Sequence, residues 1–181
     1  MHKDFPSFVA RWRVPFGFAL GIAYLIFAQP TVPLLIVGSI VALLGLSIRA
    51  YAAGHLEKDR SLAMDGPYAY TRNPLYLGSL FIGMGLVLAG GQWALGVVFV
   101  LFFLVVYGPV MKREERNLRQ RFGESFDNYA KTVPLFLPSR KPLYKSHRKF
   151  EWKRYRRNRE YEAAIGYLAG IIFLVAKILL R

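Results

Sequence analysis

Two short groups of residues, far apart in the chain, carry the side chains best suited to chemistry. The first is Asn73-Pro74 with Arg72 before it, and the second is the acidic pair Glu114-Glu115. Asn suits the N-cap and Pro the first helical position, so a helix is predicted to begin there. The free N–H groups and partial positive charge of that helix end, reinforced by Arg72, suit a carboxylate. The acidic pair suits an ammonium or a sulfonium.

Three tyrosines near the first group add flat aromatic faces. Tyr68, Tyr70 and Tyr76 flank the predicted helix start, and such rings can stack on a purine. A ligand that combines a carboxylate, a positive charge and a purine is an amino acid linked to a nucleoside, and S-adenosylmethionine is the obvious candidate. Methyl transfer from its sulfonium needs chiefly alignment of the reacting atoms and exclusion of water. The shortage of histidine and cysteine is therefore no objection.

Metal and thiol chemistry find no support in the composition. The chain has no cysteine, which excludes disulfides and thiolate nucleophiles. Its three histidines, His2, His55 and His147, show no spacing typical of metal ligands. No metal site is predicted.

The charges are segregated along the chain in a way that indicates a membrane protein. Hydrophobic residues make up 54% of the 181 residues and charged residues 20%, yet the formal net charge is +14. Residues 14–48 and 73–111 contain no Asp, Glu, Lys, Arg or His. Because one bilayer-spanning helix needs about 20 apolar residues, each run is long enough for two. The predicted fold class is an all-α integral membrane protein.

Turn residues divide each uncharged run into two helices. Prolines and polar residues at 29–33 break the first run, and Gly90-Gly91-Gln92 breaks the second. A fifth apolar stretch contains only Lys177, close enough to its end to snorkel. The sequence thus predicts about five transmembrane helices, near 13–28, 32–51, 74–89, 92–111 and 163–180, with the third and fourth forming a hairpin over roughly 74–111.

The distribution of basic residues predicts the orientation. With the N-terminus inside, the inner segments are 1–13, 49–73 and 112–160, and they carry 23 of the 25 Lys and Arg residues. This bias is typical of cytoplasmic segments. The third predicted helix then begins, and the fourth ends, at the cytoplasmic face. Arg72 and the acidic pair are expected to meet there.

A cytoplasmic extension and a basic segment follow the hairpin. Residues 112–130 are predicted to continue as a cytoplasmic helix, which prolines near 134 end. Residues 139–160 then hold ten Lys and Arg against two Glu. Beside a membrane, the stretch 140–159 is expected to lie on anionic lipid headgroups, and this position disfavours the rival interpretation, nucleic-acid binding. The predicted division is a membrane domain over 1–138 and a basic juxtamembrane segment with the fifth helix over 139–181.

The order of these motifs resembles that of a known family. The pattern Gly66-x-Tyr68-x-x-x-Arg72-x-Pro74-x-Tyr76, an apolar hairpin, Glu114-Glu115, Phe122-Gly123 and Tyr129 is similar to the isoprenylcysteine carboxyl methyltransferase and phospholipid methyltransferase group. The matching region covers about residues 50–138 and looks most like the bacterial branch. The resemblance implies S-adenosylmethionine held by the ends of the hairpin and a lipophilic acceptor reached through the membrane.

The resemblance also implies which residues contact the cofactor. Residue by residue, five cofactor-contacting positions of the family fall on Tyr68, Asn73, Pro74, Leu75 and Tyr76. Glu114 falls on the position expected to hold the amino group of the cofactor, with Glu115 as its neighbour. Arg72, assigned from the residue pattern, completes the predicted cofactor-binding site. No residue is assigned as catalytic.

Two positions depart from the eukaryotic members of the family. Those enzymes have histidine where this chain has Asn73, a change that a backbone contact or a cap survives. They also have a substrate-facing arginine four residues before the first cofactor glutamate, where this chain has Val110. A prenylcysteine carboxylate is therefore disfavoured as the acceptor, whereas the cofactor prediction stands.

Three functions stay open. The leading one is an integral membrane S-adenosylmethionine-dependent methyltransferase acting on a lipophilic small molecule or lipid through a carboxylate, thiol, amine or phenol. It is predicted in a bacterial cytoplasmic membrane, with its N-terminus and active site on the cytoplasmic side. An NADPH-dependent membrane reductase of the sterol-reductase type shares a similar hairpin, but a phosphorylated dinucleotide needs cations where this chain has Glu114-Glu115. The third is a non-catalytic scaffold with a basic lipid-binding segment, in which Gly17-x-x-x-Gly21 and Gly166-x-x-x-Gly170 would allow close helix contacts.

Overall fold

The chain is helical throughout the ranges that its structure describes. A computed structural model describes residues 5–58, 60–144 and 148–180, with the backbone alone for 5–14. These ranges form seven α-helices and one 3₁₀ turn, and they contain no strand: α1 (Phe5–Phe27), α2 (Val32–His55), the 3₁₀ turn (Gly66–Ala69), α3 (Pro74–Gly90), α4 (Trp93–Phe122), α5 (Glu124–Thr132), α6 (Trp152–Arg157) and α7 (Tyr161–Leu179). His2 and residues 145–147 of the predicted basic segment lie outside the described residues.

The prediction of an all-α integral membrane protein is confirmed. Helices α2, α4 and α7 are long and apolar enough to cross a membrane. The apolar parts of α1 (Pro15–Phe27) and α3 are shorter, and the 17 residues of α3 rise about 25 Å at about 1.5 Å per residue. The five expected apolar helices are therefore present, three of them with the length of a full span.

Two predicted helix boundaries were wrong. The predicted helix over 112–130 is divided, because α4 runs on without interruption to Phe122 and α5 begins only after Gly123. Gly123 has a φ of +51°, a conformation that glycine adopts at little cost. The second difference is in α1, which begins at Phe5, eight residues earlier than the apolar pattern alone predicts.

Helices α2 and α3 touch through their backbones. A Cβ placed on Gly85 would lie 2.5 Å from the amide nitrogen of Ala42 and 2.5 Å from the carbonyl oxygen of Gly38. About two turns further along α2, a Cβ on Gly45 would lie 2.5 Å from the carbonyl oxygen of Gly78. Small residues at such spacing let two helices approach closely, which is how helices gain packing energy in lipid.

The two Gly-x-x-x-Gly motifs of the sequence do not form such a contact. A Cβ on Gly21 or Gly166 would meet nothing within 4 Å. At Gly17 and Gly170 the nearest atoms belong to side chains, 3.9 and 3.3 Å away. Within the described chain, the tight backbone interface lies between α2 and α3 instead.

Helix α7 packs along α2 and α3, and its C-terminal end is bonded to α1. The bundle has a basic end, where α2 ends and α3 begins, and an opposite end, where α1 ends and α4 begins. At the opposite end Leu174 packs against Ala28 and Ala89 in one buried cluster. Lys177 Nζ donates to the carbonyl oxygens of Leu25 (3.0 Å) and Ile26 (2.9 Å). The expected snorkelling lysine thus binds the last carbonyls of α1.

We expect Gly85→Ala to destabilise the protein and Gly166→Ala to leave its stability unchanged or slightly raised. The methyl group at position 85 would overlap the α2 backbone, and overpacking of this kind costs about 1–3 kcal/mol. The methyl group at position 166 would meet no atom within 4 Å, so the only effect is the higher helix propensity of alanine compared with glycine. Thermal unfolding of the two variants in one detergent would measure this, and equal midpoints would contradict the backbone contact.

Candidate functional site

The residue before α3 is hydrogen-bonded to a segment far away in the chain. Asn73 occupies the N-cap position but makes no side-chain cap hydrogen bond. Its Nδ2 donates instead to the carbonyl oxygen of Leu135, at 2.9 Å. Pro74 follows as the first helical residue and is fully buried. The predicted helix start is therefore correct, whereas the side chain of Asn73 binds a different segment from the one expected.

The segment at 133–139 lies along the turn that precedes α3. The backbone N–H of Arg72 donates to the carbonyl oxygen of Pro134 at 2.9 Å. Thr71 Oγ1 donates to the carbonyl oxygen of Phe136, also at 2.9 Å. Bonds to backbone atoms fix a loop more closely than side-chain packing alone, because they specify both distance and direction. The residues around Arg72 are thus fixed by a part of the chain that follows α5.

Arg72 and Glu115 form an ion pair between the start of α3 and the far part of α4. Their side chains are only 15% and 19% exposed. A half-buried charge of either sign is costly without a partner. Among the described residues, the Nε of Arg72 is buried without a hydrogen-bond partner. One N–H of the guanidinium is therefore not used by the described residues.

Tyr76 and Glu114 make a second contact across the same pair of helices. Tyr76 Oη donates to Glu114 Oε1 at 2.9 Å, and Glu114 is otherwise exposed. The ring of Tyr76 lies 5.4 Å from the ring of Tyr107 on α4, centroid to centroid. Tyr107 in turn stacks on Phe103 at 4.7 Å. Aromatic packing on one side and a carboxylate on the other define the orientation of Tyr76.

Tyr68 lies inside the protein, behind the helix start. Its ring packs in an apolar cluster with Ala52, Ala63 and Leu75, so the ring faces are already covered. Its Oη is buried and has no hydrogen-bond partner among the described residues. Burial raises the pKa of this hydroxyl, with further increases from neighbouring groups that include Glu114. Tyr68 therefore stays protonated at neutral pH and is a hydrogen-bond donor.

The structure brings most of the predicted site residues together. Arg72, Tyr76, Glu114 and Glu115 are in direct contact in two pairs. Asn73, Pro74 and Leu75 form the adjoining turn. Tyr68 supplies a hydroxyl and not a flat face, and Tyr70, at 36% exposure, lies at the surface. The role of each of these residues in binding a cofactor stays a prediction.

Several residues of the site were not predicted. They are Tyr107 and Phe103 on α4, Phe136 in the loop, which lies 5.9 Å from Phe103 between ring centroids, and Arg49 on α2, whose Nη1 donates to the carbonyl oxygen of Leu75 at 3.2 Å. Aromatic residues near a membrane boundary look like interfacial residues in a sequence. Arg49 looks like an ordinary basic residue at a helix end. Only their three-dimensional contacts identify them.

The chemistry of the opposite end of the bundle differs from that of the contact between α3 and α4. In the described ranges, no group of three or more His, Asp or Glu side chains could hold a metal ion. A cavity of about 380 Å³ lies at the opposite end of the bundle, beside Gln29, Gln92 and Lys177. Lys177 is already bonded to the carbonyls of α1, and no carboxylate lines this cavity. Its lining therefore lacks the paired charges of the basic end.

Comparison with known proteins places the chain in a family. A family model described as phospholipid methyltransferase matches residues 18–125, more than half of the chain. The chain belongs to the phospholipid methyltransferase family. The match covers the glycine-lined helix pair and both groups of charged residues, and it confirms the resemblance predicted from the sequence. It ends before α6 and α7.

Curated relatives agree with this assignment. The chain is 32% identical over 94 residues to the protein-S-isoprenylcysteine O-methyltransferase of Schizosaccharomyces pombe, which is 52% of this chain and 40% of that protein. It is 33% identical over 146 residues to the cobalt-zinc-cadmium resistance protein CzcN of Cupriavidus metallidurans, covering 74% and 64%. It is 36% identical over 90 residues to the nickel-cobalt-cadmium resistance protein NccN of Alcaligenes xylosoxydans xylosoxydans, covering 49% and 41%.

These matches cover only part of each relative. The chain spans less than two thirds of the length of each of these relatives. No solved structure matches the chain. The family and its membrane character are therefore established, and the reaction and its substrates are matters for proposal.

We expect the buried ion pair to show strong energetic coupling. Arg72→Met or Glu115→Leu alone leaves a half-buried charge without its partner and should lower the free energy of unfolding by about 2–4 kcal/mol. The double variant should lose much less than the sum of the two. Unfolding in mixed detergent micelles would provide the four values of the cycle.

The control is an ion pair at the surface of the same region. Arg119 and Asp127 are joined at 2.6 Å but are 51% and 43% exposed, so solvent screens their attraction. Their cycle should show a much smaller coupling. Equal coupling in the two cycles would contradict the burial of the Arg72–Glu115 pair.

Proposed function

We propose that the protein is an integral membrane S-adenosylmethionine-dependent methyltransferase that acts on a lipophilic small molecule or lipid. One observation supports this most directly. The start of α3 and the acidic pair of α4 are in contact, through Arg72 with Glu115 and Tyr76 with Glu114. Membership of the phospholipid methyltransferase family gives the reaction class.

The charges of this contact suit the amino-acid part of the cofactor. A zwitterionic amino acid carries a carboxylate and an ammonium on one carbon atom. A guanidinium beside a carboxylate, as in Arg72 and Glu115, is complementary to such a pair of charges. Glu114 adds a second, exposed carboxylate, which the cofactor can reach by exchanging places with the hydroxyl of Tyr76.

Unused donors in the site also fit a polar ligand. The Nε of Arg72 and the Oη of Tyr68 are buried and lack partners within the described ranges. The first turn of α3 presents further N–H groups, because Asn73 does not cap them with its side chain. Buried donors of this kind are costly unless a ligand or water satisfies them. A cofactor with several acceptor atoms would satisfy them.

The chain's own residues would bind the cofactor, orient it and shield the reacting atoms from water. When bound, S-adenosylmethionine supplies a methyl group on a sulfonium. Glu114 and Glu115 would hold its positive groups, while Arg72 and the helix start would hold its carboxylate. The rings of Tyr107, Phe103 and Phe136 continue from Tyr76 in consecutive ring contacts and would exclude water from that side. Alignment and desolvation account for catalysis of this type without a dedicated base.

The acceptor is proposed to be lipophilic because the site lies at the end of membrane-spanning helices. Its reacting group would be a carboxylate, thiol, amine or phenol. Val110, half-buried on α4, offers no charge to pair with a carboxylate, which favours the other three. Incubation with a native lipid extract and labelled methyl donor, followed by identification of the labelled product, would identify the acceptor class.

We also propose an orientation and a lipid contact. The basic end would face the cytoplasm of a bacterium, as basic residues generally do. Four exposed basic residues near α6 would lie on anionic headgroups beside the exposed ring of Trp152: Lys149, Lys153, Arg156 and Arg157. These contacts would hold the basic segment along the membrane surface. Each basic residue near that surface would contribute about 1 kcal/mol of binding free energy.

We expect Glu114→Gln to weaken binding of S-adenosylhomocysteine at least about tenfold, since it removes a charge opposite the amino group of the ligand and leaves the shape unchanged. Glu124→Gln is the matched control, because Glu124 lies on α5, outside the contact between α3 and α4. Calorimetry on the purified protein would give both affinities. Equal values for the two variants would count heavily against the assignment.

The same preparations distinguish a reductase. A thermal-shift titration with S-adenosylhomocysteine should raise the unfolding temperature of the wild-type protein, and NADPH should not. A shift with NADPH alone would favour the sterol-reductase type of enzyme. The acidic pair disfavours that outcome, because it would lie against the phosphates of the dinucleotide.

We expect neutralisation of the exposed basic residues to reduce the enrichment of anionic lipid. A variant with Lys149, Lys153, Arg156 and Arg157 changed to glutamine should retain less phosphatidylglycerol than the wild type. Both would be reconstituted from equal amounts of phosphatidylglycerol and phosphatidylcholine, and the lipid bound after purification would be measured. High salt should weaken the wild-type preference, and equal retention by both proteins would exclude the proposed contact.

A further inference from the structure

Arg49 and Glu160 form a bidentate ion pair at the basic end of the bundle. Arg49 Nε donates to Glu160 Oε2 and Arg49 Nη2 donates to Glu160 Oε1, both at 2.9 Å. The Glu160 side chain is only 8% exposed and that of Arg49 22%. Paired, parallel hydrogen bonds of this kind fix the plane of the guanidinium as well as its position. The pair joins the residue before α7 to the last turns of α2.

The remaining donor of the guanidinium points at α3. Arg49 Nη1 donates to Ser79 Oγ at 2.5 Å and to the carbonyl oxygen of Leu75 at 3.2 Å. Ser79 Oγ itself donates to the same carbonyl at 3.0 Å. Since Leu75 precedes Tyr76, one guanidinium links the residue before α7 to the turn that carries the predicted ligand contacts.

Glu160 comes from a part of the chain that the family match does not include. That match ends at residue 125, and Glu160 immediately precedes α7. Its neighbour Asn158 donates to the carbonyl oxygens of Ala53 (2.9 Å) and Leu56 (3.0 Å), which close the end of α2. The segment before α7 therefore makes specific contacts with the site and does more than connect it to a last membrane helix.

We propose that Glu160, acting through Arg49, is a positioning residue for the ligand site at the first turn of α3. The carboxylate holds the guanidinium plane, and the guanidinium holds the carbonyl of Leu75 and the hydroxyl of Ser79. The first turn of α3 is thereby fixed against the end of α2, and Tyr76 is presented to Glu114. This inference rests on the proposed function of the same site.

The proposal predicts a loss of affinity that exceeds any loss of stability. Glu160→Gln keeps the size of the side chain but removes the charge that orients Arg49. We expect the dissociation constant for S-adenosylhomocysteine to rise about tenfold, since small displacements of binding groups are costly. Calorimetry well below the unfolding temperature would measure it on the full chain.

Two control variants separate positioning from a general effect of α7. Glu162→Gln removes a carboxylate two residues away, where Glu162 forms an exposed pair with Arg159. Lys177→Met loosens α7 at the opposite end, where Lys177 binds the carbonyls of α1. Both should bind the ligand like the wild type, even where Lys177→Met lowers the unfolding temperature.

A reversed pair, Arg49→Glu with Glu160→Arg, sharpens the test. The exchange restores an ion pair but places a carboxylate beside the carbonyl of Leu75, which it cannot bind as a donor. We expect the unfolding temperature to recover relative to Arg49→Glu alone, while the affinity stays low. Recovery of both would show that the ion pair acts only on stability and would overturn the proposal.

The outcomes for the two proposals are distinguishable. A wild-type protein that binds no S-adenosylhomocysteine would overturn the proposed function, and this inference with it. Wild-type binding with an unchanged affinity in Glu160→Gln would overturn the inference alone. A loss of affinity in Lys177→Met as large as that in Glu160→Gln would also overturn it, because α7 would then act on the site only through overall stability.

Discussion

The close approach of α2 and α3 is the constraint on which the rest of the structure depends. With no side chain at Gly38, Gly45, Gly78 or Gly85, the two backbones are in contact from the level of Gly38 and Gly85 to that of Gly45 and Gly78. In lipid, where apolar side chains gain little by burial against each other, such packing is a main source of association. It brings the end of α2 beside the beginning of α3, and the polar groups of the basic end are arranged around this junction.

Charge pairing at that junction follows from partial burial. Arg72 pairs with Glu115, and Arg49 pairs with Glu160, in both cases between segments that are distant along the chain. The first pair joins the turn before α3 to α4. The second joins α2 to the residue before α7, and Arg49 also donates to Leu75 and Ser79 of α3. Because a buried charge without a partner is strongly unfavourable, these pairs restrict how the helix ends can be placed.

Local signals in the sequence predicted the parts of this architecture that depend on neighbouring residues. Asn73-Pro74 predicted where α3 begins, and Gly90-Gly91 predicted where it ends, because helix boundaries depend on residues within one turn. The break at Gly123 was missed, since apolar residues keep their helical spacing on both sides of it. The pairing of Arg49 with Glu160 could not be predicted, because 111 positions separate the two residues. Only the packing of α7 against α2 and α3 determines that Glu160 lies beside Arg49. For the predicted site, the sequence indicated that Arg72 and the acidic pair would meet, whereas the contribution of Glu160 to the same end of the bundle could not be read from it.

The bonds made just before α7 have a consequence for biosynthesis. A chain is synthesised from its N-terminus, so α2 and α3 can pair before α7 exists. Until then the carbonyl oxygens of Ala53 and Leu56 lack the side-chain amide of Asn158, and Arg49 lacks its counter-ion. The residues that complete the basic end are therefore synthesised last, and a chain that stopped before residue 158 would lack the bonds by which Asn158 and Glu160 complete the end of α2.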